Sequence, residues 1–485
     1  MGGGAQGGSG GGVVGTSGAG GQAGQTALGC RAGEGRCSAG NPQLCTSGGV
    51  WQAASACPSE KPVCRVGACV SRKFLALGAQ HTCVVGEAGQ VACWGSGVAT
   101  GKAGTNPLDG GTGMPTLDLG TGATALTLAA ASNSTCALLA SGGKVKCWGM
   151  SSLGELGQGD MNTRGDDPGE LGDNLPPVAL GAGAVVVGIS GSFAHFCVLL
   201  DDGRVKCSGD NSNGELGLTD FANRGDTPNE MGDRLAAVDL GAGHSVRSVD
   251  VGGLHSCVLL DEGKVKCWGG HQYGQLGLGY IPTNRTEPDP IGDAWPAVAL
   301  GTGRTARAIA GGDEHTCALL DGGDVKCWGQ NEYGQLGQGD TKDRGGAPTD
   351  LGDNLPPVDL GTGRKAVALT AGGGNTCVLL DNGQAKCWGY NNHGQLGLGD
   401  TQARGDGPGE MGDNLPAIDL GTGRTAVLIV PGGGHTCAVL DDGTVKCWGY
   451  NTTGQLGLSM AVGGSQRGTA PGQMGDNLPT VDVGF

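Results

Sequence analysis

Short apolar runs separated by glycine-rich turns recur along most of this chain. In residues 298–340, VALGTGRTARAIAGG contains two such runs, and HTCALL and DVKCWG follow as two more. The last two flank Asp321-Gly322-Gly323, and a three-residue loop with glycine where positive φ is needed is typical of a β-hairpin. A polar loop with GQLGQGD then leads into the next VDLG. Each unit therefore predicts four short antiparallel strands and a long insertion, the make-up of a propeller blade.

This unit occurs seven times, and every copy carries two cysteines. The spacing between copies is 60 or 61 residues from the second copy onward. A fixed period of this size indicates one supersecondary unit used repeatedly. The first cysteines are Cys83, Cys136, Cys197, Cys257, Cys317, Cys377 and Cys437, and the second are Cys93, Cys147, Cys207, Cys267, Cys327, Cys387 and Cys447.

The two ends of the repeat region predict a closed ring. The first unit begins at Phe74 without a preceding VDLG-type strand, whereas PTVDVGF at 479–485 is such a strand with no unit after it. Pairing of this last strand beside 74–79 would complete both ends, while an open solenoid would need atypical capping repeats. The expected fold is all-β: a closed seven-bladed propeller of four-stranded antiparallel blades, with the C-terminal strand closing the ring on the first blade.

The motif CWGxNxxGQLGLGD with an upstream GGxHTCxLLxxG resembles the regulator-of-chromosome-condensation repeat family over residues 74–485. The resemblance implies a seven-bladed β-propeller, and the cysteine content makes a secreted, bacterial-type member the expectation. The family includes guanine-nucleotide exchange factors for a small GTPase, domains of large ligases and membrane proteins, and a secreted bacterial β-lactamase inhibitor. It therefore predicts the fold and leaves the function open.

The spacing of the paired cysteines predicts a disulfide in every unit. A three-residue hairpin loop places Cys317 directly opposite Cys327, and opposed residues of an antiparallel pair have Cα atoms about 4.5–5.5 Å apart, within disulfide range. The unit at Cys136 has one extra loop residue, which a bulge can absorb. Closing a ring of about 11 residues stabilises by roughly 2–3 kcal/mol in the chain-entropy model. Structural disulfides are therefore expected rather than redox-active thiols.

A histidine precedes the first cysteine in five units, so a metal inside the ring is one candidate. Serine and asparagine take this place in the other two units, which favours hydrogen bonds from each side chain to its own blade. No metal ligand is assigned on this basis. The residues at this position are His81, Ser134, His195, His255, His315, Asn375 and His435.

The long loops carry an arginine and a later aspartate, whose recurrence predicts a bidentate ion pair that folds each loop back on itself. The pairs are Arg164 and Asp173, Arg224 and Asp233, Arg285 and Asp293, Arg344 and Asp353, Arg404 and Asp413, and Arg467 and Asp476.

Three tempting motifs in the sequence carry little weight. RGD occurs at 164–166, 224–226 and 404–406, but the equivalent loops read RTE, RGG and RGT, so it is interpreted as chance within a repeat. Asp400, Asp406, Glu410 and Asp413 lack the alternating spacing of a calcium loop. Ser-His-Asp, HExxH and phosphate-loop patterns are absent from the sequence. We therefore assign no catalytic, cofactor-binding or metal residue and predict no enzyme and no cofactor.

The N-terminal part of the chain has a different composition. Residues 1–29 form a glycine-rich linker, and residues 30–70 are predicted to be a small disulfide-rich module, followed by the propeller at 74–485. Six cysteines allow 15 pairings, and a zinc site is disfavoured because the module has neither CxxC nor histidine. These cysteines are Cys30, Cys37, Cys45, Cys57, Cys64 and Cys69.

Charge and cysteine usage limit the possible partners. The net charge of −16 argues against nucleic acid, and no run of 18 apolar residues exists to span a membrane. Twenty cysteines indicate an oxidising compartment, although residues 1–29 lack a signal peptide. An export signal, of a lipoprotein kind, is therefore expected upstream.

We interpret the chain as a monomeric, extracytoplasmic, non-catalytic propeller that binds a protein or other surface partner through its blade loops. The alternative, by family resemblance, is an exchange-factor-like regulator of a small GTPase. Two units are irregular: the first lacks GQLG after Trp94, and the third has Ser208 in place of tryptophan. Decay of a copy is the favoured interpretation of both, over a specialised binding edge.

Overall fold

The computed structural model describes residues 74–97, 99–101, 114–281, 291–459 and 463–485, together with the backbone of five short strands nearer the N-terminus. The first three of these strands form an antiparallel sheet in the order β1-β2-β3, and the last two pair with each other. Their bounds are β1 (Gly35–Ser38), β2 (Asn41–Cys45), β3 (Trp51–Ala53), β4 (Val63–Arg65) and β5 (Ala68–Val70). The predicted linker at 1–29 and the cysteine pairings of the N-terminal module lie outside the described residues, and those predictions stay predictions.

Seven further sheets, which we number as blades 1 to 7, follow in chain order. Blades 1 to 4 are β6 (Phe74–Leu77), β7 (His81–Val85) and β8 (Val91–Gly95); β9 (Ala125–Ala130), β10 (Ser134–Leu139) and β11 (Val145–Gly149); β12 (Val186–Ser192), β13 (His195–Leu200) and β14 (Val205–Gly209); and β15 (Val246–Val251), β16 (His255–Leu260) and β17 (Val265–Gly269). Blades 5 to 7 are β18 (Ala306–Gly311), β19 (His315–Leu320) and β20 (Val325–Gly329); β21 (Ala366–Gly372), β22 (Asn375–Leu380) and β23 (Ala385–Gly389); and β24 (Ala426–Pro431), β25 (His435–Leu440), β26 (Val445–Tyr450) and β27 (Gln466–Arg467).

The described 3-10 helices are short turns in the loops that follow the blades. These are Gly172–Asn174, Gly232–Arg234, Pro348–Asp350, Gly352–Asn354, Gly412–Asn414 and Gly475–Asn477. Among the described residues, no helix has both the length and the apolar character needed to cross a membrane.

Most blades have three strands and not the predicted four. The VDLG-type segment forms no strand, and it completes the blade before it in the chain: the Val298 N–H donates to the Val265 carbonyl at 2.8 Å. The final segment behaves in the same way, because Val481 bridges Val445. The predicted pairing of 479–485 beside 74–79 is therefore wrong. Blade 1 begins at Phe74 because each unit ends, rather than begins, with this segment.

The hydrophobic core lies between neighbouring blades. Successive residues of a strand point to opposite faces, so in β19 Cys317 and Leu319 belong to the core shared with blade 6. Ala318 and Leu320 belong to the core shared with blade 4. The first and last blades also share a core, in which Trp94 lies with Cys447 and other side chains of blade 7. A strand buried on both faces explains why HTCALL is apolar without alternation.

A disulfide joins the second and third strands of every blade. Cys317 and Cys327 are directly opposed in the strand register, and the seven pairs have Cα–Cα distances of 4.0–4.1 Å. No cysteine among the described residues is free. The pairs are Cys83–Cys93, Cys136–Cys147, Cys197–Cys207, Cys257–Cys267, Cys317–Cys327, Cys377–Cys387 and Cys437–Cys447.

Candidate functional site

The innermost strands surround a central channel of about 450 Å³. Most described residues that line it are glycine, alanine or serine, and its charged side chains are Asp250 and Asp313. The Gly311 N–H donates to Asp250 Oδ1 at 2.8 Å, and burial raises the pKa of Asp250 to about 7. Loss of hydration within the channel also raises the pKa of Asp313. The charged side chains that line the channel are therefore acidic.

Histidines at the start of the second strands connect neighbouring blades. The Nε2 atom of His255 lies 2.7 Å from the Thr316 hydroxyl, 61 residues along the chain. The prediction that these histidines bond within their own blade is therefore wrong. The other contacts join His81 to Thr135, His195 to Ser256, His315 to Thr376 and His435 to Thr82.

The receiving hydroxyl, which is a threonine in four of these contacts and Ser256 in the fifth, determines which ring nitrogen of the histidine carries the hydrogen. Thr316 Oγ1 donates to the Gln275 carbonyl at 2.9 Å, and the indole N–H of Trp328 donates to the same oxygen at 2.9 Å. Because the hydroxyl has one hydrogen, His255 Nε2 must be the donor to it. Nδ1 of His255 is buried without a partner, and burial lowers the pKa of His255 to about 4.

The buried histidines do not converge on a metal site. The histidine Nε2 atoms that could bind a metal point instead at hydroxyls of the next blade. No group of three or more histidine, cysteine or acidic residues that could hold a metal ion occurs among the residues that the structure describes. The histidines are therefore structural connectors.

The loop arginines form ion pairs, but with a different aspartate from the predicted one. Arg164 contacts Asp160 at 2.8 Å, while Asp173 instead accepts hydrogen bonds from the N–H and the hydroxyl of Thr121. The predicted Arg164–Asp173 pair and its equivalents are therefore wrong where these contacts are described. The same arginine–aspartate contact recurs as Arg224–Asp220, Arg344–Asp340 and Arg404–Asp400. The arginines of all three RGD tripeptides are thus already bound within their own loops.

The lysine of each VKC sequence holds the loops in place, a role that sequence reasoning missed. Lys146 Nζ donates to the Leu119 carbonyl at 2.8 Å and to the Gly172 carbonyl at 2.7 Å. The recurrence of this lysine directly before the second cysteine was the signal in the sequence that could have indicated this role. The equivalent lysines Lys206, Lys266, Lys326, Lys386 and Lys446 make the same two contacts.

The irregular third blade contains an exchange of two residues. Phe196 lies directly opposite Ser208, where the regular blade 5 pairs Thr316 with Trp328. Phe196 is 4% exposed and joins the core between blades 2 and 3. The aromatic side chain has thus moved from the third strand to the second, and the blade retains a filled core.

Aromatic side chains form a row across blades 5, 6 and 7. The ring centroids of Tyr333 and Tyr390 are 4.8 Å apart, those of Tyr390 and His393 are 6.2 Å apart, and those of His393 and Tyr450 are 4.7 Å apart. A groove of about 420 Å³ lies beside this row. We call it the aromatic groove; its lining side chains include Phe193, Leu254, Asp313, Glu314, Tyr333 and Tyr390. It shares Phe193 and Asp313 with the channel lining, so it lies at a mouth of the channel.

Comparison with known proteins places this arrangement in a family. The family model described as "RCC1-like domain" matches residues 130–483. The chain belongs to the RCC1-like domain family. This RCC1-like chain is 27% identical over 80% of its length to the ultraviolet-B receptor UVR8 of Arabidopsis thaliana, of which it covers 79%. It is 30% identical over 70% of its length to the E3 ubiquitin-protein ligase HERC2 of Homo sapiens, but spans only 6% of that protein.

Two solved structures share the fold of this chain. Yeast RCC1 (Prp20), in its complex with Kap60, superimposes with a TM-score of 0.57 at 21% identity and covers 85% of this chain and 84% of that one. Human WBSCR16 gives 0.55 at 22% identity, covering 79% and 91%. At these identities the likeness supports the propeller fold and no particular activity.

Proposed function

We propose that this RCC1-like protein is a non-catalytic propeller that acts outside the cytoplasm and binds a protein partner through one face. The observation that carries the proposal is a buried disulfide in every blade. Disulfides persist in oxidising compartments and are rare in the cytosol. A nuclear or cytosolic exchange factor would gain nothing from seven of them.

The proposal includes closure of the seven blades into a ring. Three contacts between the ends of the chain support it: His435 with Thr82, the Trp94 indole with the Gln455 carbonyl at 2.8 Å, and the shared core of blades 1 and 7. The first two repeat the contacts found between interior blades. A closed ring removes both exposed edges, so the proposed active form is a monomer.

Chemistry and charge favour binding over catalysis. The histidines that recur at the start of the second strands are committed to hydrogen bonds between blades, and the described channel carboxylates Asp250 and Asp313 belong to no nucleophile–base pair. A chain with a net charge of −16 repels phosphate, so a protein is the proposed partner in preference to nucleic acid.

The test uses the purified, oxidised chain as a bait. The bait is applied to the outer surface of intact source cells and is chemically cross-linked to its neighbours there before the cells are lysed. We expect a surface protein to be cross-linked to the bait, and an excess of the soluble chain to prevent this cross-linking by competition. A parallel arm measures nucleotide release from small GTPases. Stimulated release without any competed surface partner would contradict the proposal and favour the exchange-factor alternative.

A further inference from the structure

The aromatic groove departs from the repeat pattern, and such departures carry information that the repeat itself does not. Tyr390 and Tyr450 directly follow the CWG sequence, where the other units have Ser96, Met150, Asp210, Gly270 and Gln330. Tyr333 meets Tyr390 across the boundary between blades 5 and 6. The Tyr333 ring does not fill a core, since it is 36% exposed.

Phe193, at the edge of the groove, has an exposed aromatic side chain and a strained backbone conformation. Its side chain is 53% exposed, and its φ of 47° lies in the left-handed region that aromatic residues rarely adopt. Strain of this kind concentrates at ligand-binding sites. The equivalent residues of the other blades are small or acidic: Ala79, Ser132, Gly253, Asp313, Gly373 and Gly433.

The rim around Phe193 is held by main-chain bonds between blades, which fix the groove walls. The Ser132 N–H donates to the Phe193 carbonyl at 3.0 Å, and the Asp313 N–H donates to the Gly373 carbonyl at 2.9 Å. The aromatic and acidic side chains therefore project from an ordered backbone. A ligand entering here meets a preformed site, which lowers the entropic cost of binding.

The charge of the groove has one sign. Asp313 and Glu314 lie in its wall, and among the described residues that line it none is lysine or arginine. Glu314 Oε1 accepts a hydrogen bond from Gln272 Nε2 at 3.2 Å, which leaves its other oxygen for a ligand. The nearby Arg344 is tied to Asp340 and does not neutralise the groove.

We propose that the aromatic groove receives an arginine side chain from a basic loop of the protein partner, an inference that rests on the proposed protein-binding function. The planar guanidinium would lie against the rings of Phe193 and Tyr333 and donate to the carboxylates of Asp313 and Glu314. Aromatic faces attract cations, and the guanidinium both stacks and bonds carboxylates through paired N–H groups. A volume of about 420 Å³ accommodates one long side chain with its flanking backbone.

The probe for this site is acetyl-Gly-Arg-Gly-amide, with acetyl-Gly-Gln-Gly-amide as the neutral comparison. Saturation-transfer NMR and titration on the full oxidised chain should show millimolar binding of the arginine peptide and at least fivefold weaker binding of the glutamine peptide. Phe193→Ala and the isosteric Asp313→Asn should each weaken the binding of the arginine peptide at least fivefold. Equal binding of the two peptides would overturn the proposal that the groove recognises a cationic side chain.

Two control variants keep the test specific. Tyr280→Ala removes an aromatic that is 48% exposed but does not line the groove, and Asp167→Asn removes a loop carboxylate. Both should bind the arginine peptide like the wild type. Unchanged binding in folded Phe193→Ala and Asp313→Asn, checked by thermal melting, would overturn the site. A surface partner that is still captured by these variants would leave the proposed function standing and refute the groove alone.

Discussion

At the scale of single residues, the third blade shows how a repeat absorbs a substitution. Phe196 and Ser208 form one cross-strand pair, and each alone departs from the pattern set by Thr316 and Trp328. The ring of Phe196 needs Gly191, because a Cβ there would lie 2.2 Å from Phe196 Cδ1. The two departures from the repeat, Phe196 and Ser208, therefore have one physical cause, the relocation of an aromatic ring.

Restoring only the tryptophan of the repeat should harm the third blade. We expect Ser208→Trp to overfill the core between blades 2 and 3 and to destabilise by about 1–3 kcal/mol, and Phe196→Thr to destabilise by about 3–5 kcal/mol through the cavity it leaves. The double variant should recover most of the loss, because it recreates the pair found in blade 5. Denaturant unfolding of the four proteins measures the coupling; additive losses would refute compensation.

The raised pKa of Asp250 gives a second prediction at this scale. With a folded pKa of about 7 against an ordinary value of 3.8, the folded chain keeps a proton that the unfolded chain loses between these values. The free energy of unfolding therefore falls as pH rises through this range. Asp250→Asn, which still accepts the Gly311 N–H, should melt higher than wild type at pH 8 and match it at pH 4. A variant less stable at pH 8 would contradict this.

At the scale of the elements, covalent and non-covalent stabilisation act in different places. The disulfides close loops of 10 or 11 residues inside each hairpin and do not join blades. The boundaries between blades depend on buried cores and on contacts such as His255 to Thr316 and Trp328 to Gln275. The interfaces are therefore the part of the molecule most sensitive to polar substitutions.

Threonine-to-valine variants test both the interfaces and the closure. Thr316→Val and Thr82→Val each leave a histidine Nε2–H without an acceptor, which should cost about 1–3 kcal/mol. Thr436→Val is the matched control, because Asn375 stands where its histidine would be and the Thr436 hydroxyl donates to the Gln395 carbonyl. The loss in free energy of unfolding should be smaller for this control than for Thr316→Val and Thr82→Val. Thermal melts that show no effect of Thr82→Val would contradict a closed ring.

The hairpins could be predicted from the sequence, whereas the contacts between them could not. The period, the loop length and glycine placement determine the register that opposes Cys317 to Cys327. The partner of His255 lies on another blade, and nothing in the local pattern distinguishes a bond within a blade from one across a boundary. The VDLG segment was assigned to the wrong blade for the same reason, since a repeat has no marked beginning.

At the scale of the whole molecule, the five buried histidines make the fold sensitive to acid. Burial lowers the pKa of the five from 6.5 to about 3 or 4. The unfolded chain takes up protons below pH 6.5 that the folded chain refuses, so the free energy of unfolding falls as pH decreases. Carboxyl groups whose pKa is raised, such as Asp250, Glu155 and Glu215, act in the opposite direction, whereas Asp160 and Asp173, whose pKa is lowered, add to the loss of stability in acid.

Thermal melts at pH 7, 6 and 5 measure this dependence. We expect the melting temperature to fall steadily below pH 6.5, with a reduced slope in His315→Asn, a variant that copies the residue of blade 6 at Asn375. A melting temperature that stays constant to pH 5 in the wild type would show that these histidines are accessible to protons in the folded chain. Such a result would contradict the burial of the histidines but not the propeller fold.

The function could be predicted only coarsely, because seven similar units hide the few residues that differ. The residues that line the aromatic groove come from blades 3 to 7 and are separated by as many as 240 residues, from Phe193 to Gly433. Only the fold brings them together. Sequence comparison of the copies does reveal that Phe193 is unusual, and that Tyr333 and Tyr390 each have a tyrosine counterpart in one other unit, Tyr273 and Tyr450. This was the available signal.

The oxidation state of the repeat cysteines in living source cells tests the central claim most directly. Cells are quenched in acid, free thiols are alkylated, and disulfides are reduced and labelled with a second reagent before mass spectrometry. We predict that the fourteen cysteines of the seven disulfides carry only the second label. Detection of Cys317 and Cys327 with the first label would contradict an extracytoplasmic, disulfide-stabilised propeller.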